Sequence, residues 1–205
     1  MIKIFVTSLD NFNIERFNDY LNSFPEFLQK DFTKYRYYED RMRTMAGKLL
    51  LRKAIKAFKV DVSLDELKYN EYKKPYLDNG PYFSISHSNN QIICAASHEE
   101  VGADIEEIRD INIDDFTAGF SDIEISTIHN SNNQVFELFK VWTLKEALLK
   151  YSGKGFFEDK KITLRNNKLF FDEIPVCYQV VEYKNYVISL VSKNMQNIEI
   201  IHPEL

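Results

Sequence analysis

A chain of 205 residues with 44% hydrophobic and 28% charged side chains has globular composition, and its 12 Tyr and 16 Phe supply large apolar groups for a core. A formal charge of −5 argues against a general nucleic-acid binder, and two cysteines are too few for a disulfide framework or a Cys-based zinc site. That cysteine usage fits a reducing cytoplasm, and no run approaches the roughly 20 apolar residues of a membrane span.

The amino end, residues 1–10, holds a short apolar stretch with Lys3 inside it and no small-residue cleavage pattern, so it reads as a first strand and not as a signal peptide. Residues 14–32 predict helix broken near Pro25. Residues 39–58 predict a long amphipathic helix, because Met42, Met45, Leu49, Ile55 and Phe58 recur at helical spacing. Arg41, Arg43, Lys48, Arg52, Lys53, Lys56 and Lys59 crowd the same segment and read as a solvated basic face.

Residues 67–72 read as extended, and Pro75, Asn79, Gly80 and Pro81 mark turns. Three short runs follow, 83–86, 91–97 and 101–106, whose close spacing predicts an antiparallel meander. Residues 114–128 and 135–151 read as helices, with Gly153 placed as a C-cap glycine. Residues 161–165, 169–171, 176–182 and 186–192 alternate like strands. The order strand, helices, strands thus occurs twice, which predicts an α+β fold of two lobes, residues 1–98 and 99–205, without a letter-by-letter repeat.

Within Val101-Gly102-Ala103-Asp104-Ile105-Glu106, the two-residue period of a strand sends Asp104 and Glu106 to one face. The plain reading is the wet face of a half-buried strand. The helix at 135–151 offers another, because Trp142, Glu146 and Lys150 recur at i, i+4 and i+8 and form one stripe. If that helix packs on the strands, Glu146 joins Asp104 and Glu106. Three carboxylates about 5 Å apart repel by roughly 3 kcal/mol per pair at an effective dielectric near 20, so a cation or a proton must offset them. An all-oxygen set with room for water and phosphate suits Mg2+ best. Lys150 reads either as a neutraliser of a phosphate oxygen or as an i, i+4 surface partner of Glu146.

Residues 83–88, Phe-Ser-Ile-Ser-His-Ser, end a strand on a polar turn whose hydroxyls, imidazole and backbone amides make an anion-holding corner. A Ser/His/Asp hydrolase is disfavoured, because Ser86 and His87 are adjacent, point to opposite sides and lack a nucleophile-elbow glycine pattern.

Three segments together resemble the signature of the Sfp-type 4′-phosphopantetheinyl transferases: residues 83–88, residues 101–106, and Val141-Trp142-Thr143-Leu144-Lys145-Glu146-Ala147-Leu148-Leu149-Lys150. Their order and spacing match, and Glu39-Asp40, Arg43-Thr44, Gly47 and residues 72–75 extend the resemblance over most of the chain. The resemblance implies two similar lobes related by a pseudo-twofold, and a cytoplasmic monomer without membrane or nucleic-acid partners. It implies transfer of the phosphopantetheine arm of coenzyme A to a serine of an apo carrier protein, with release of adenosine 3′,5′-bisphosphate. Asp104, Glu106 and Glu146 would bind Mg2+. Lys30, Arg43, Thr44, Lys74, Ser86 and His87 would hold the adenosine and its 3′-phosphate, and Lys150 the diphosphate. Catalysis would fall to Glu146, Lys150 and His87, while Lys145 reads as structural. Two other activities use the same residues: a non-catalytic module that binds coenzyme A or a carrier, and a Mg2+-dependent phosphodiester hydrolase.

Overall fold

The computed structural model describes residues 1–12, 14–154, 162–165, 168–171 and 174–205, and the chain is α+β. It divides into two compact units, residues 1–99 with 197–205, and residues 100–196. Lys161, where the sequence starts one strand, lies outside the described residues.

In the first unit, β1 (Ile2–Ser8) is largely buried and pairs antiparallel with β5 (Gln91–Ser97), which pairs in turn with β4 (Tyr82–Ser88). The β4–β5 hairpin closes through Asn89 and Asn90, with Asn89 at φ 47°, a left-handed conformation that Asn tolerates. Two short helices, α1 (Phe17–Asn22) and α2 (Glu26–Thr33), flank Pro25, where the expected helix break falls. The long helix α3 (Tyr38–Phe58) buries Met42, Met45, Leu49, Leu50 and Ile55 in a core shared with Phe24, Leu28, Phe32, Ile92 and Cys94. Gly47 lets α3 come close to β4, since a Cβ there would stand 2.7 Å from Ile85 Cγ2.

Two pairings depart from the sequence reading. The last strand, β11 (Ile198–Ile201), runs parallel to β1 on the edge of the first sheet, so residues 197–205 build the first unit although the division at 98/99 counts them with the second. The expected meander also ends after β5. Strand β6 (Val101–Glu107) pairs with β10 (Tyr186–Ser192) instead. Both partners are distant in sequence, and local spacing carries no signal for such pairings.

The basic face of α3 is not uniformly wet. Lys48 is 8% exposed, its Nζ lies 5.8 Å over the Tyr69 ring, and burial pulls its ammonium down to about 8. A folded-state value below the ordinary 10.5 means that the folded chain binds fewer protons than the unfolded chain between those limits. Stability therefore rises with pH across about 8 to 10.5, and the burial cost stands in full below pH 8. We expect Lys48→Met to stabilise the chain at pH 7 by up to about 3 kcal/mol, and the gain over wild type to shrink by pH 10. Paired urea melts at the two pH values check this.

In the second unit, the sheet runs β6-β10-β9-β8-β7, with β7 (Ile162–Arg165), β8 (Lys168–Phe171) and β9 (Ile174–Tyr183). The expected helix at 114–128 is two pieces, a 3-10 stretch at Ile113–Gly119 and α4 (Asp122–His129). The break has a physical cause. Ser121 caps α4 in a capping box with Glu124, which stops the helix from extending backwards. Helix α5 (Gln134–Ser152) ends on Gly153 at φ 74°, as a C-cap glycine should, and lies on β6 and β10. A buried hydrogen bond of 2.6 Å between Thr143 Oγ1 and Ser189 Oγ ties α5 to β10.

Candidate active site

Gly102, Asp104 and Glu106 share one face of β6 by the two-residue period of the strand. That face lies against α5. A Cβ at Gly102 would stand 2.0 Å from Ala147 O and 2.5 Å from Tyr151 N, so the absence of a side chain there is what lets helix backbone reach strand backbone. The close approach delivers the helix stripe to the strand acids. Lys150 Nζ makes an ion pair of 2.7 Å with Asp104 Oδ1, and Asp104 is only 4% exposed. Lys150 thus reaches across to the strand and still attracts Glu146 along the helix.

Glu146, half-buried, completes the group. Its carboxyl is pushed above the ordinary range, first by burial, then by the Asp104 carboxylate, with Lys150 opposing and Glu106 adding a smaller push. The three acids therefore lie within electrostatic reach of one another, as the strand and helix periods together require. The Lys150 ammonium stands beside them, paired with Asp104 and attracting Glu146. Trp142, one turn before Glu146, is 38% exposed, and its ring meets Phe120 edge-on at 6.2 Å.

The donor set is carboxylate oxygen throughout, which suits a hard divalent cation such as Mg2+. Among the described residues no group of three or more His, Cys, Asp or Glu side chains stands in a metal-binding array. The fit is thus one of donor type, with Lys150 holding an Asp104 oxygen at ion-pair distance.

The remaining expected residues belong to the first unit. Strand β4 continues through Ser86 and His87 to Ser88, beyond the strand end expected at residue 86, because all three pair with Ile93, Ile92 and Gln91 of β5. Ser86 is buried and His87 exposed, as opposite faces require. Arg43 Nε donates to Asn89 O at 2.8 Å, and its Nη1 pairs with Asp40 Oδ1 at 2.7 Å, so α3 is tied to the hairpin turn just after His87. Thr44 donates from Oγ1 to Asp40 O at 2.8 Å. Lys74 closes a tight turn through its backbone, donating to Asn70 Oδ1 at 2.8 Å while its carbonyl accepts from Asn70 N at 3.0 Å. Lys30 lies on the open side of α2, paired with Glu26 at 2.7 Å.

Sequence reasoning passed over Glu124. It is fully buried, and it receives Lys145 Nζ at 3.0 Å. The Ser121-x-x-Glu124 spacing of a capping box was the available signal.

Fold and site define an α+β protein that presents a strand-and-helix carboxylate cluster with an attendant lysine. Residues 100–191 match the family model described as the 4′-phosphopantetheinyl transferase superfamily. Over 162 residues the chain is 33% identical to the 4′-phosphopantetheinyl transferase gsp of Aneurinibacillus migulanus, covering 77% of this chain and 68% of that protein. It is 32% identical over 146 residues to the 4′-phosphopantetheinyl transferase Sfp of Bacillus subtilis strain 168, covering 69% and 64%. A further 4′-phosphopantetheinyl transferase of Bacillus subtilis is 34% identical over 127 residues, covering 60% and 57%. The chain belongs to the 4′-phosphopantetheinyl transferase superfamily, enzymes that transfer phosphopantetheine to carrier proteins, and is of the Sfp type. No helix among the described residues is long and apolar enough to cross a membrane.

Proposed function

We propose that this chain moves the 4′-phosphopantetheine arm of coenzyme A onto a serine hydroxyl of an apo carrier protein and releases adenosine 3′,5′-bisphosphate. One observation supports the reading above the rest: α5, seated against Gly102, brings Glu146 and Lys150 to the face of β6 that carries Asp104 and Glu106. Carboxylates beside a lysine are groups that a diphosphate with its counter-ion can use.

In this reading Asp104, Glu106 and Glu146 would hold Mg2+, which would supply charge neutralisation for the diphosphate and the leaving group. Lys150, part-buried on the last turn of α5, exchanges its partner Asp104 for a phosphate oxygen when coenzyme A arrives. In the first unit, Ser86, His87, Arg43, Thr44 and Lys74 take the adenosine and its 3′-phosphate. Lys30 contributes at long reach once it leaves Glu26. His87, exposed on β4, balances negative charge on the phosphate. Glu146 accepts the serine proton directly or through water, and the bond that breaks lies between the phosphorus bearing the pantetheine arm and the adenosine bisphosphate. The chain works as a monomer in the cytoplasm.

Incubation with coenzyme A, Mg2+ and an apo carrier protein, followed by mass spectrometry of the carrier, tests this. The expected result is a carrier heavier by one phosphopantetheine arm, and removal of Mg2+ with a chelator should stop it. Cleavage of coenzyme A without modified carrier would instead mark a hydrolase, and binding without either product a non-catalytic module.

A further inference from the structure

Lys145 immediately precedes Glu146 in α5, yet the transfer chemistry assigns it nothing. Its ammonium donates to Gly119 O at 2.7 Å and to Glu124 Oε2 at 3.0 Å, and lies 5.2 Å over the Phe120 ring. The Glu124 carboxylate also accepts from Ser121 N at 2.8 Å and from Leu164 N at 3.1 Å. A single buried carboxylate thus joins the start of α4, strand β7 and the middle of α5.

Stability alone is a weak reason for such a pair, because taking Glu124 wholly and Lys145 largely out of water costs about as much as their attraction returns. What a buried pair does well is select one arrangement over its neighbours. The arrangement at stake here is the roll of α5. Gly102 and the Thr143–Ser189 hydrogen bond hold the side of the helix that rests on the sheet, and they set its distance. Contacts so close to the sheet act as a pivot. A tether on the flank is what stops rolling, and Lys145 is one residue, about 100° around the helix, from Glu146. Side-chain tips lie about 5 to 6 Å from a helix axis, so a roll of about 20° would displace the Glu146 carboxylate by about 2 Å. That is enough to separate it from Asp104 and Glu106.

We propose that the Glu124–Lys145 pair is a positioning device that fixes the roll of α5 and so aims Glu146 and Lys150 at the acids of β6. The inference rests on the cation-dependent reading given above, and neither residue of the pair touches the reacting groups.

The test uses the full chain with Lys145→Met, Lys145→Arg and the double variant Glu124→Gln/Lys145→Met. Three quantities are read: thermal midpoint, Mn2+ affinity by electron paramagnetic resonance, and kcat and KM for an apo carrier. Lys145→Met strands the Glu124 charge and melts early. The double variant removes that charge, so its midpoint should return close to wild type while Mn2+ binding and kcat stay at least about tenfold down, with KM for the carrier little changed. Lys145→Arg should retain most of both. Recovery of affinity and kcat together with stability in the double variant would reduce the pair to an ordinary structural contact and overturn the proposal. If the wild type transfers the arm without binding Mn2+, the cation reading fails and kcat of the double variant alone decides the positioning role. A wild type that neither binds nor transfers overturns both.

Discussion

Glu146→Gln should lower transfer by about 10²- to 10³-fold and at the same time raise the stability of the chain at neutral pH. The two effects have one origin. Burial, the Asp104 carboxylate and, less strongly, Glu106 push the Glu146 carboxyl up, and Lys150 only partly opposes them. A raised value in the folded state means that folding favours the protonated form. The stabilising contribution is full below the unfolded carboxyl value and is lost as pH rises through the folded one. At pH 7 the ionised group is therefore a cost to the fold. Glutamine keeps the shape and removes that charge. A thermal melt without divalent cation should show a higher midpoint for the variant, next to a carrier-loading assay that shows almost none. Full loading by the variant would remove Glu146 from the chemistry, and a lowered midpoint would contradict the electrostatics assigned to it.

Gly102→Ala should be the more damaging change for the fold. The added carbon would meet Ala147 O at 2.0 Å and Tyr151 N at 2.5 Å, and both are backbone atoms that no rotamer change can withdraw. Helix α5 must lift from β6. Overpacking of this kind costs about 3 kcal/mol or more, and it separates Glu146 and Lys150 from Asp104, so transfer should fall with stability. Gly119→Ala is the control, since nothing lies within 4 Å of its added carbon, and a shift within about 0.5 kcal/mol is expected. Urea melts of the two variants, run side by side, separate a specific clash from a general intolerance of alanine.

Much of the site was legible because two local periods produce it. Alternation along β6 puts Asp104 and Glu106 on one face, and the four-residue step along α5 aligns Trp142, Glu146 and Lys150. The same locality explains the helix break at Pro25 and the cap at Gly153. What the sequence left unread depends on residues far apart in the chain. Asp104 sits opposite Ser189, and Ile2 opposite Ile198, and neither pairing has a local signal. Lys48 looked like one more solvated cation because the Tyr69 ring under its ammonium comes from outside α3. No local pattern marks Gly102, whose role arises only where α5 lies against it. Glu124 was one turn of an expected helix, and only the fold makes it the acceptor for Lys145 and for the Leu164 amide.

Joint action of the carboxylates of β6 and α5 on a divalent cation is tested most directly by calorimetric titration of Mg2+ into the chain with coenzyme A present. Wild type should show one saturable site, and Asp104→Asn, with its midpoint close to wild type, should bind at least about tenfold more weakly. Equal affinity in the two proteins would contradict it.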